Sequence, residues 1–196
     1  IRDRQELVSH YENQGYFQEL IVLLEAGINL ERTHQGIFTH LGICYAKYKE
    51  EKMMEHVKMF HARSNIAQLI TACRQNLLWP EAVFLSQQYE QFEQAVEMMM
   101  DHSALAWKNE LFKEILGKCS NTEIYYRAID FYLAEHPRLL EDLLLELEKK
   151  LDHSRVVHKI RSVNHLPLIR KYLLQVQHND LAIVNEAVNE LCVIEE

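Results

Sequence analysis

The residues in this chain best suited to metal binding or proton transfer are its eleven histidines. Two pairs, His56/His61 and His153/His158, are five positions apart, which turns the two rings about 140° from each other on a helix. A zinc pair on a helix needs a spacing of four, as in HExxH, and the sequence contains no such motif. We therefore predict no metal site and interpret the histidines as solvated or partly buried groups that can still respond to pH.

Nucleophilic catalysis lacks the local motifs that it needs. The sequence contains no GxSxG turn, no glycine-rich phosphate loop and no thiol beside a sequence-local base. Each cysteine lies in an apolar helical pattern, which favours buried, reduced thiols and a cytosolic compartment. These cysteines are Cys44, Cys73, Cys119 and Cys192. We predict that the chain is not an enzyme and uses no cofactor.

A cluster of basic residues surrounds a turn near position 49. Lys47, Lys49, Lys52 and Lys58 occur there with glutamates between them. The pattern fits a solvated turn, and it also fits an edge on which an acidic partner docks. The net charge of −8 argues against a general nucleic-acid binder, which would normally carry a basic face.

The elements that carry these residues are short amphipathic helical patterns, which recur about every fifteen residues along the chain. Only five glycines and three prolines occur, too few for a fold rich in strands or loops. We predict an all-α fold, an α-solenoid (superhelix) of stacked antiparallel helix hairpins with about thirteen helices, forming one domain over residues 1–196. Solenoids of this kind usually bind or scaffold.

Several local signals set the predicted helix boundaries. Gly27 is interpreted as a glycine just past a helix end, Asn121 and Asp152 as N-caps, and His136-Pro137 as a break. The predicted helices cover about 3–14, 16–27, 34–48, 51–62, 65–76, 80–89, 91–101, 104–118, 122–135, 138–150, 153–162, 166–176 and 181–192. No apolar run approaches the length of a membrane span. Because the chain starts at Ile1, we expect it to be a piece of a longer solenoid that continues at both ends.

Six long strings identify the chain as similar to the clathrin heavy-chain family. They are LLEAGINLERTHQGIFTHLGICYAKYK (23–49), WPEAVFLSQQYEQFEQAVEMMMDH (79–102), EIYYRAIDFYL (123–133), LDHSRVV (151–157), LPLIRKYLLQVQ (166–177) and VNEAVNELCVIEE (184–196). The resemblance extends over the whole chain and points to the proximal leg of that family.

What the resemblance implies is a structural coat segment on the cytosolic face of coated pits and vesicles. Its expected partners are a clathrin light chain and the legs of other heavy chains, with no nucleic acid and no membrane insertion. Without the trimerisation hub we expect a monomer. The alternative is a vacuolar-sorting tether subunit, whose clathrin-like repeats share the hairpin solenoid.

The resemblance also suggests which residues meet these partners. Lys47, in the YAKYK turn that also contains Lys49, matches a light-chain-binding position of the family, and His136 stands where relatives carry a second lysine. His153 and His178 are candidates for pH-sensitive assembly, since an imidazolium between crossing legs could pair with a carboxylate. An ordinary surface histidine at a helix start is the other interpretation of His153.

Overall fold

In the computed structural model of the chain, residues 2–29 and 35–194 are described, and they contain helices and turns but no strand. Fourteen α-helices lie in these ranges, thirteen of them seven residues or longer. They are α1 (Arg2–Gln14), α2 (Phe17–Ile28), α3 (Gln35–Tyr48), α4 (Met53–Phe60), α5 (Ile66–Gln75), α6 (Trp79–Gln88), α7 (Phe92–Asp101), α8 (Ser103–Ala106), α9 (Asn109–Leu116), α10 (Thr122–Glu135), α11 (Leu140–Glu146), α12 (His153–Ser162), α13 (Arg170–Val176) and α14 (Ala182–Ile194). The predicted all-α class is confirmed.

The backbone divides into two compact units, Ile1–Trp107 and Lys108–Glu196. In the first unit α2 packs on α1 and α3, α3 on α5, α5 on α6, and α6 on α7. In the second unit α11 packs on α10 and α13, and α14 on α12 and α13. Helices that pack on their sequence neighbours and next-but-one neighbours form the stacked hairpins of a solenoid, in which each hairpin is stabilised by the next.

The predicted helix over 104–118 is wrong as a single element. Trp107 and Lys108 have extended backbone, with ψ of 132° and 127°, and they separate α8 from α9. Because neither residue type breaks helices, the apolar periodicity predicts one continuous helix across α8 and α9. The start of α9 is held by a tertiary contact instead, because the Tyr132 hydroxyl donates to the Asn109 side chain over 2.8 Å.

Capping residues place other boundaries correctly. The Asn121 side chain accepts the Glu123 backbone N–H at 3.0 Å, and α10 spans the predicted residues 122–135. Asp152 accepts the N–H groups of Ser154 and Arg155 at 3.0 and 3.4 Å, and α12 spans the predicted 153–162. The side-chain oxygen of a capping residue accepts backbone N–H groups that would otherwise be unpaired at the helix start. Because these groups are only two or three residues away, the residue type alone predicts where the helix begins.

Helix ends are marked less clearly. Gly27 lies inside α2, which continues to Ile28, so its interpretation as a residue beyond the helix end is wrong. Gly15 does make the predicted turn, with φ of +77°. Four other turns place non-glycine residues at positive φ: Leu77, Glu90, Asn164 and Asp180. Turns without glycine leave little signal in the sequence.

Three helices of the first unit, α3, α4 and α5, lie close together at Gly42, in the middle of α3. A Cβ added there would lie 2.6 Å from Leu69 Cδ2 of α5 and 3.1 Å from the His56 ring of α4. Both neighbours are buried. Only a residue without a side chain allows α4 and α5 to approach α3 this closely.

The cysteine interpretation is correct for three residues and wrong for the fourth. Cys44, Cys73 and Cys119 are buried and Cys192 is exposed, and all four thiols are free. Burial raises the pKa of Cys44 to about 11 and that of Cys73 to about 12, so both remain protonated thiols at neutral pH. In the described ranges, no helix has the length and apolar character needed to cross a membrane.

Candidate partner-binding surface

Lys47 lies in the last turn of α3 and faces the neighbouring helix α1. Its Nζ lies 3.1 Å from Glu12 Oε1, and the two side chains are 40% and 27% exposed. Burial opposes the charge on Lys47, but the hydrogen bond to Glu12 and the charge of that carboxylate outweigh it and raise the lysine pKa. The ammonium is therefore charged at neutral pH and already has a carboxylate partner.

Aromatic side chains surround this ion pair. The rings of Phe17 and Tyr48 stack with centroids 4.1 Å apart, which joins the start of α2 to the end of α3. The Tyr48 hydroxyl lies 3.5 Å from the same Glu12 oxygen that receives Lys47. Tyr16, in the turn between α1 and α2, is exposed. Tyrosine is among the residues that protein interfaces use most often.

Lys52 is held more tightly, by Glu25 of α2. Glu25 Oε1 accepts hydrogen bonds from Lys52 Nζ at 2.7 Å and from the Tyr45 hydroxyl at 2.6 Å. The hydrogen bond from Lys52, reinforced by that from Tyr45, lowers the pKa of Glu25. These two hydrogen bonds connect α2 with α3 and with the turn after α3, so Lys52 and Glu25 have a structural role.

The remaining members of the basic cluster are Lys49 and Lys58. Lys49 is half-buried in the turn after α3, where its backbone N–H donates to the Tyr45 carbonyl over 2.9 Å. Lys58 is exposed on α4. Within the described part of the chain, neither side chain forms an ion pair. In this cluster, Lys47 and Lys52 are therefore paired with glutamates of α1 and α2, whereas Lys49 and Lys58 have no carboxylate partner among the described residues.

A groove of about 460 Å³ runs beside Lys47, between α3 and α5. Small and polar residues line it, and the side chain of Lys47 lies at its edge. The lining residues are Ile43, Lys47, Asn65, Ala67, Gln68, Thr71, Ala72 and Gln75.

His136 lies in the second unit, at the end of α10. Its ring is half-buried and meets Phe131 and Tyr132 edge-on, with centroids 5.5 and 6.1 Å away. Its backbone N–H donates to the Tyr132 carbonyl at 2.8 Å. The imidazole is thus packed against the aromatic end of its own helix, whereas a lysine would extend further into solvent.

His153 and His178 occupy different environments in the second unit. His153 Nδ1 lies 2.7 Å from the hydroxyl of Tyr172, a fully buried residue whose pKa burial raises. His178 is exposed, and its Nδ1 donates to the Gln175 carbonyl in the last turn of α13. His153, the first residue of α12, is therefore held by a contact with a buried side chain, whereas the contact that the described residues provide for His178 is with its own turn.

Lys113, on α9, is a buried charged residue of the second unit. Its Nζ lies 2.7 Å from Asp142 and 3.1 Å from Glu146, which ties α9 to α11. Burial opposes the charge, but hydrogen bonds to these two carboxylates outweigh it and raise the lysine pKa. A lysine held protonated in this way acts as a structural cation rather than a nucleophile.

Three of the residues that matter here were not identified from the sequence. Glu12 and Glu25 are 35 and 27 positions away from the lysines that they meet, and no local spacing connects them. His56 was interpreted as solvated or partly buried, yet it is only 3% exposed. The sequence signal for its burial is its place among the apolar residues Met53, Val57 and Phe60 of the same helix. The described residues contain no cluster of three or more potential metal ligands.

Comparison with known proteins places this chain in a family. The family model "Clathrin: Region in Clathrin and VPS" matches residues 2–140. The clathrin heavy chain of Dictyostelium discoideum is 48% identical over 192 residues, covering 98% of this chain and 11% of the relative. Clathrin heavy chain 1 of Arabidopsis thaliana is 47% identical over 196 residues, covering 100% of this chain and 12% of the relative.

Clathrin heavy chain 2 of Homo sapiens is 46% identical over 192 residues, covering 98% of this chain and 12% of the relative. The chain therefore spans only 11–12% of the length of these relatives. The similarity nevertheless runs from end to end of the chain, and it coincides with stacked helical hairpins. On this evidence the chain belongs to the clathrin heavy-chain family.

Proposed function

We propose that this chain is a structural segment of a clathrin heavy-chain leg, in the proximal part of the leg. The observation that carries the proposal is 46–48% identity to clathrin heavy chains over at least 98% of the chain. Stacked hairpins suit this role, because they present long side-chain surfaces while each hairpin is stabilised by its neighbours. In this role the chain acts by binding and not by catalysis, on the cytosolic face of coated pits and coated vesicles during endocytosis and vesicle transport.

The partners of this segment are other heavy chains, which pack against it in the cage, and a clathrin light chain. Lys47 is the proposed first contact for the light chain, with Lys49 beside it. Lys47 lies in the last turn of α3 and Lys49 in the turn that follows, and Lys47 is 40% exposed and kept charged. His136 is the proposed second contact. It contributes less than a lysine would, because its ring is half-buried against Phe131 and Tyr132, whereas a lysine side chain would extend further into solvent.

Lys47→Glu is expected to weaken binding of the light chain's central helix by roughly threefold to tenfold at low salt, since one surface ion pair contributes about 0–1 kcal/mol and reversal adds repulsion. The measurement is calorimetric titration of the chain with that helix at two salt concentrations. Salt should reduce the difference, because it screens exposed charges.

Lys149→Glu, at an exposed lysine in the second unit, makes the same charge change and serves as the control. Circular dichroism shows whether each variant remains helical. Unchanged affinity of a folded Lys47→Glu variant would remove Lys47 from the light-chain contact.

His153 and His178 are the proposed pH-sensitive groups in assembly. An imidazolium between crossing legs would pair with a carboxylate of the neighbouring leg and favour assembly in mildly acidic solution. The full-length heavy chain carrying His153→Gln is expected to assemble at a lower pH than the unmodified heavy chain, as measured by light scattering or sedimentation. His178→Gln tests the exposed histidine in the same way. A curve that does not move on His153→Gln would leave that residue with only its anchoring role at Tyr172.

A vacuolar-sorting tether is the second candidate, because the matching family region occurs in both clathrin and VPS proteins. A tether subunit would recruit the other subunits of its complex and would not form cages. Cage assembly by the full-length protein distinguishes the two functions directly.

A further inference from the structure

Glu12 is the carboxylate that faces Lys47 among the residues that the structure describes. The two residues belong to different helices, α1 and α3, and are 35 positions apart. Their separation of 3.1 Å is longer than the 2.7 Å of the neighbouring Lys52–Glu25 pair. Glu25 also receives the Tyr45 hydroxyl at 2.6 Å, whereas the Tyr48 hydroxyl reaches Glu12 only at 3.5 Å. Of the two ion pairs, Glu12–Lys47 is the one that a partner can open more easily.

Opening this pair costs the fold little. Both side chains are partly exposed, and ion pairs of that kind contribute little to stability because water and salt solvate the separated charges. The Glu12–Lys47 pair has a larger effect on the binding of an incoming carboxylate than on the stability of the fold. While Glu12 is paired with Lys47, its negative charge cancels the local attraction and repels an acidic segment.

We propose that Glu12 is an internal competitor for Lys47, so that an acidic partner binds by displacing the Glu12 carboxylate from the lysine. This inference rests on the proposed light-chain contact at Lys47 and adds a residue that limits its strength. The exchange is one carboxylate for another on the same ammonium, and the released Glu12 becomes solvated. The net gain of the incoming ion pair is therefore smaller than a free lysine would provide.

The proposal predicts a gain of affinity from loss of an acidic residue. With a synthetic peptide of the light-chain central helix as the probe, Glu12→Gln is expected to lower Kd about twofold to fivefold at low salt. The gain should shrink at high salt and should be absent when Lys47→Gln is also present, because the competitor then has nothing to occupy.

Four variants of the whole chain make the test complete: Glu12→Gln, Lys47→Gln, the double variant and Glu19→Gln. Glu19 is exposed on α2, so its substitution removes one negative charge from the same unit without freeing Lys47. Circular dichroism and thermal unfolding show whether each variant is folded. An equal gain from Glu19→Gln would overturn the proposal, since net charge alone would then explain the effect.

The outcomes distinguish a failure of the proposed light-chain contact at Lys47 from a failure of the proposed competition by Glu12. If Lys47→Gln does not weaken binding, the proposed contact at Lys47 fails. If Lys47→Gln weakens binding while Glu12→Gln leaves it unchanged, the contact stands and Glu12 does not compete for the lysine. If Glu12→Gln also weakens binding, Glu12 positions the lysine instead of competing for it. Tighter binding by Glu12→Gln that disappears in the double variant is the result that supports competition.

Discussion

Gly42→Val is expected to lower the free energy of unfolding of the first unit by ~1–3 kcal/mol, because the added atoms overfill a closed core. The first of these atoms would lie 2.6 Å from Leu69 Cδ2 and 3.1 Å from the His56 ring. Neither neighbour is free to move into solvent, since Leu69 is 0% and His56 3% exposed. The substitution therefore has to separate α3, whose last turn carries Lys47, from α4 and α5.

Tryptophan fluorescence during urea unfolding measures this effect selectively. Trp79 and Trp107 are the chain's two tryptophans, and both belong to the first unit. Gly27→Val is the matched control, because the contact that a Cβ at Gly27 makes among the described residues is with the Ile37 side chain, at an ordinary 3.4 Å. We expect the control to change stability by no more than about 1 kcal/mol.

A second substitution shows whether crowding is the cause. Leu69→Ala removes the side-chain atoms that a valine at position 42 would meet. The Gly42→Val/Leu69→Ala variant should then be more stable than the sum of the two single effects predicts. A Gly42→Val variant as stable as the unmodified chain would show that α3 does not need a glycine at this crossing.

Acidification is expected to destabilise the first unit through His56, between about pH 6.5 and the lower pKa that this group has in the folded chain. His56 Nε2 donates to the Phe38 carbonyl over 2.8 Å, and the rings of Tyr45 and Phe60 lie 5.4 and 5.3 Å away. Burial lowers its pKa from the ordinary 6.5, and the hydrogen bond to Phe38 only partly offsets that effect.

The sign follows from proton binding in the two states. Between the two pKa values the unfolded chain binds a proton at His56 and the folded chain does not. The free energy of unfolding therefore falls as the pH falls, by at most about 1.4 kcal/mol per pH unit for one group. The loss ends once the pH is below the folded pKa, because both states are then protonated.

Unfolding by urea at a series of pH values from 5 to 8 tests this expectation. His56→Gln keeps an amide N–H that can donate to the Phe38 carbonyl but does not titrate. Its stability at pH 7 should be lower, because ring packing is lost, and its decline on acidification should be shallower. His10→Gln, at an exposed histidine of α1, should retain the slope of the unmodified chain. Identical slopes for the unmodified chain and His56→Gln would contradict the prediction.

This pH effect opposes the one proposed for assembly. A protonated His153 or His178 would favour contact between legs, whereas protonation of His56 weakens the hairpin that contains it. Stability and assembly curves measured over the same pH range are therefore needed to separate the two groups of histidines.

Local chemistry explains which parts of the fold were predictable. Asn121 and Asp152 satisfy backbone donors two or three residues away, so the starts of α10 and α12 were predicted correctly. The break between α8 and α9 was missed because the contact that holds the start of α9 involves Tyr132, 23 positions away from Asn109. The turns at Leu77 and Glu90 could not be predicted either, since nothing in these residue types indicates a positive φ.

By itself, the sequence determined the helical class, most helix positions and the family, because periodicity, caps and long matching strings are properties of adjacent residues. Only the tertiary structure decided which charges meet. Lys47 and Lys52 look alike in the sequence, yet the first pairs with Glu12 at 3.1 Å and the second pairs at 2.7 Å with Glu25, which also accepts the Tyr45 hydroxyl. The burial of His56 was decided in the same way, by the crossing of α3 with α4 at Gly42. The physical reason is that helix packing brings together residues 18 to 35 positions apart, and no pattern of neighbouring residues records which helix face will be covered.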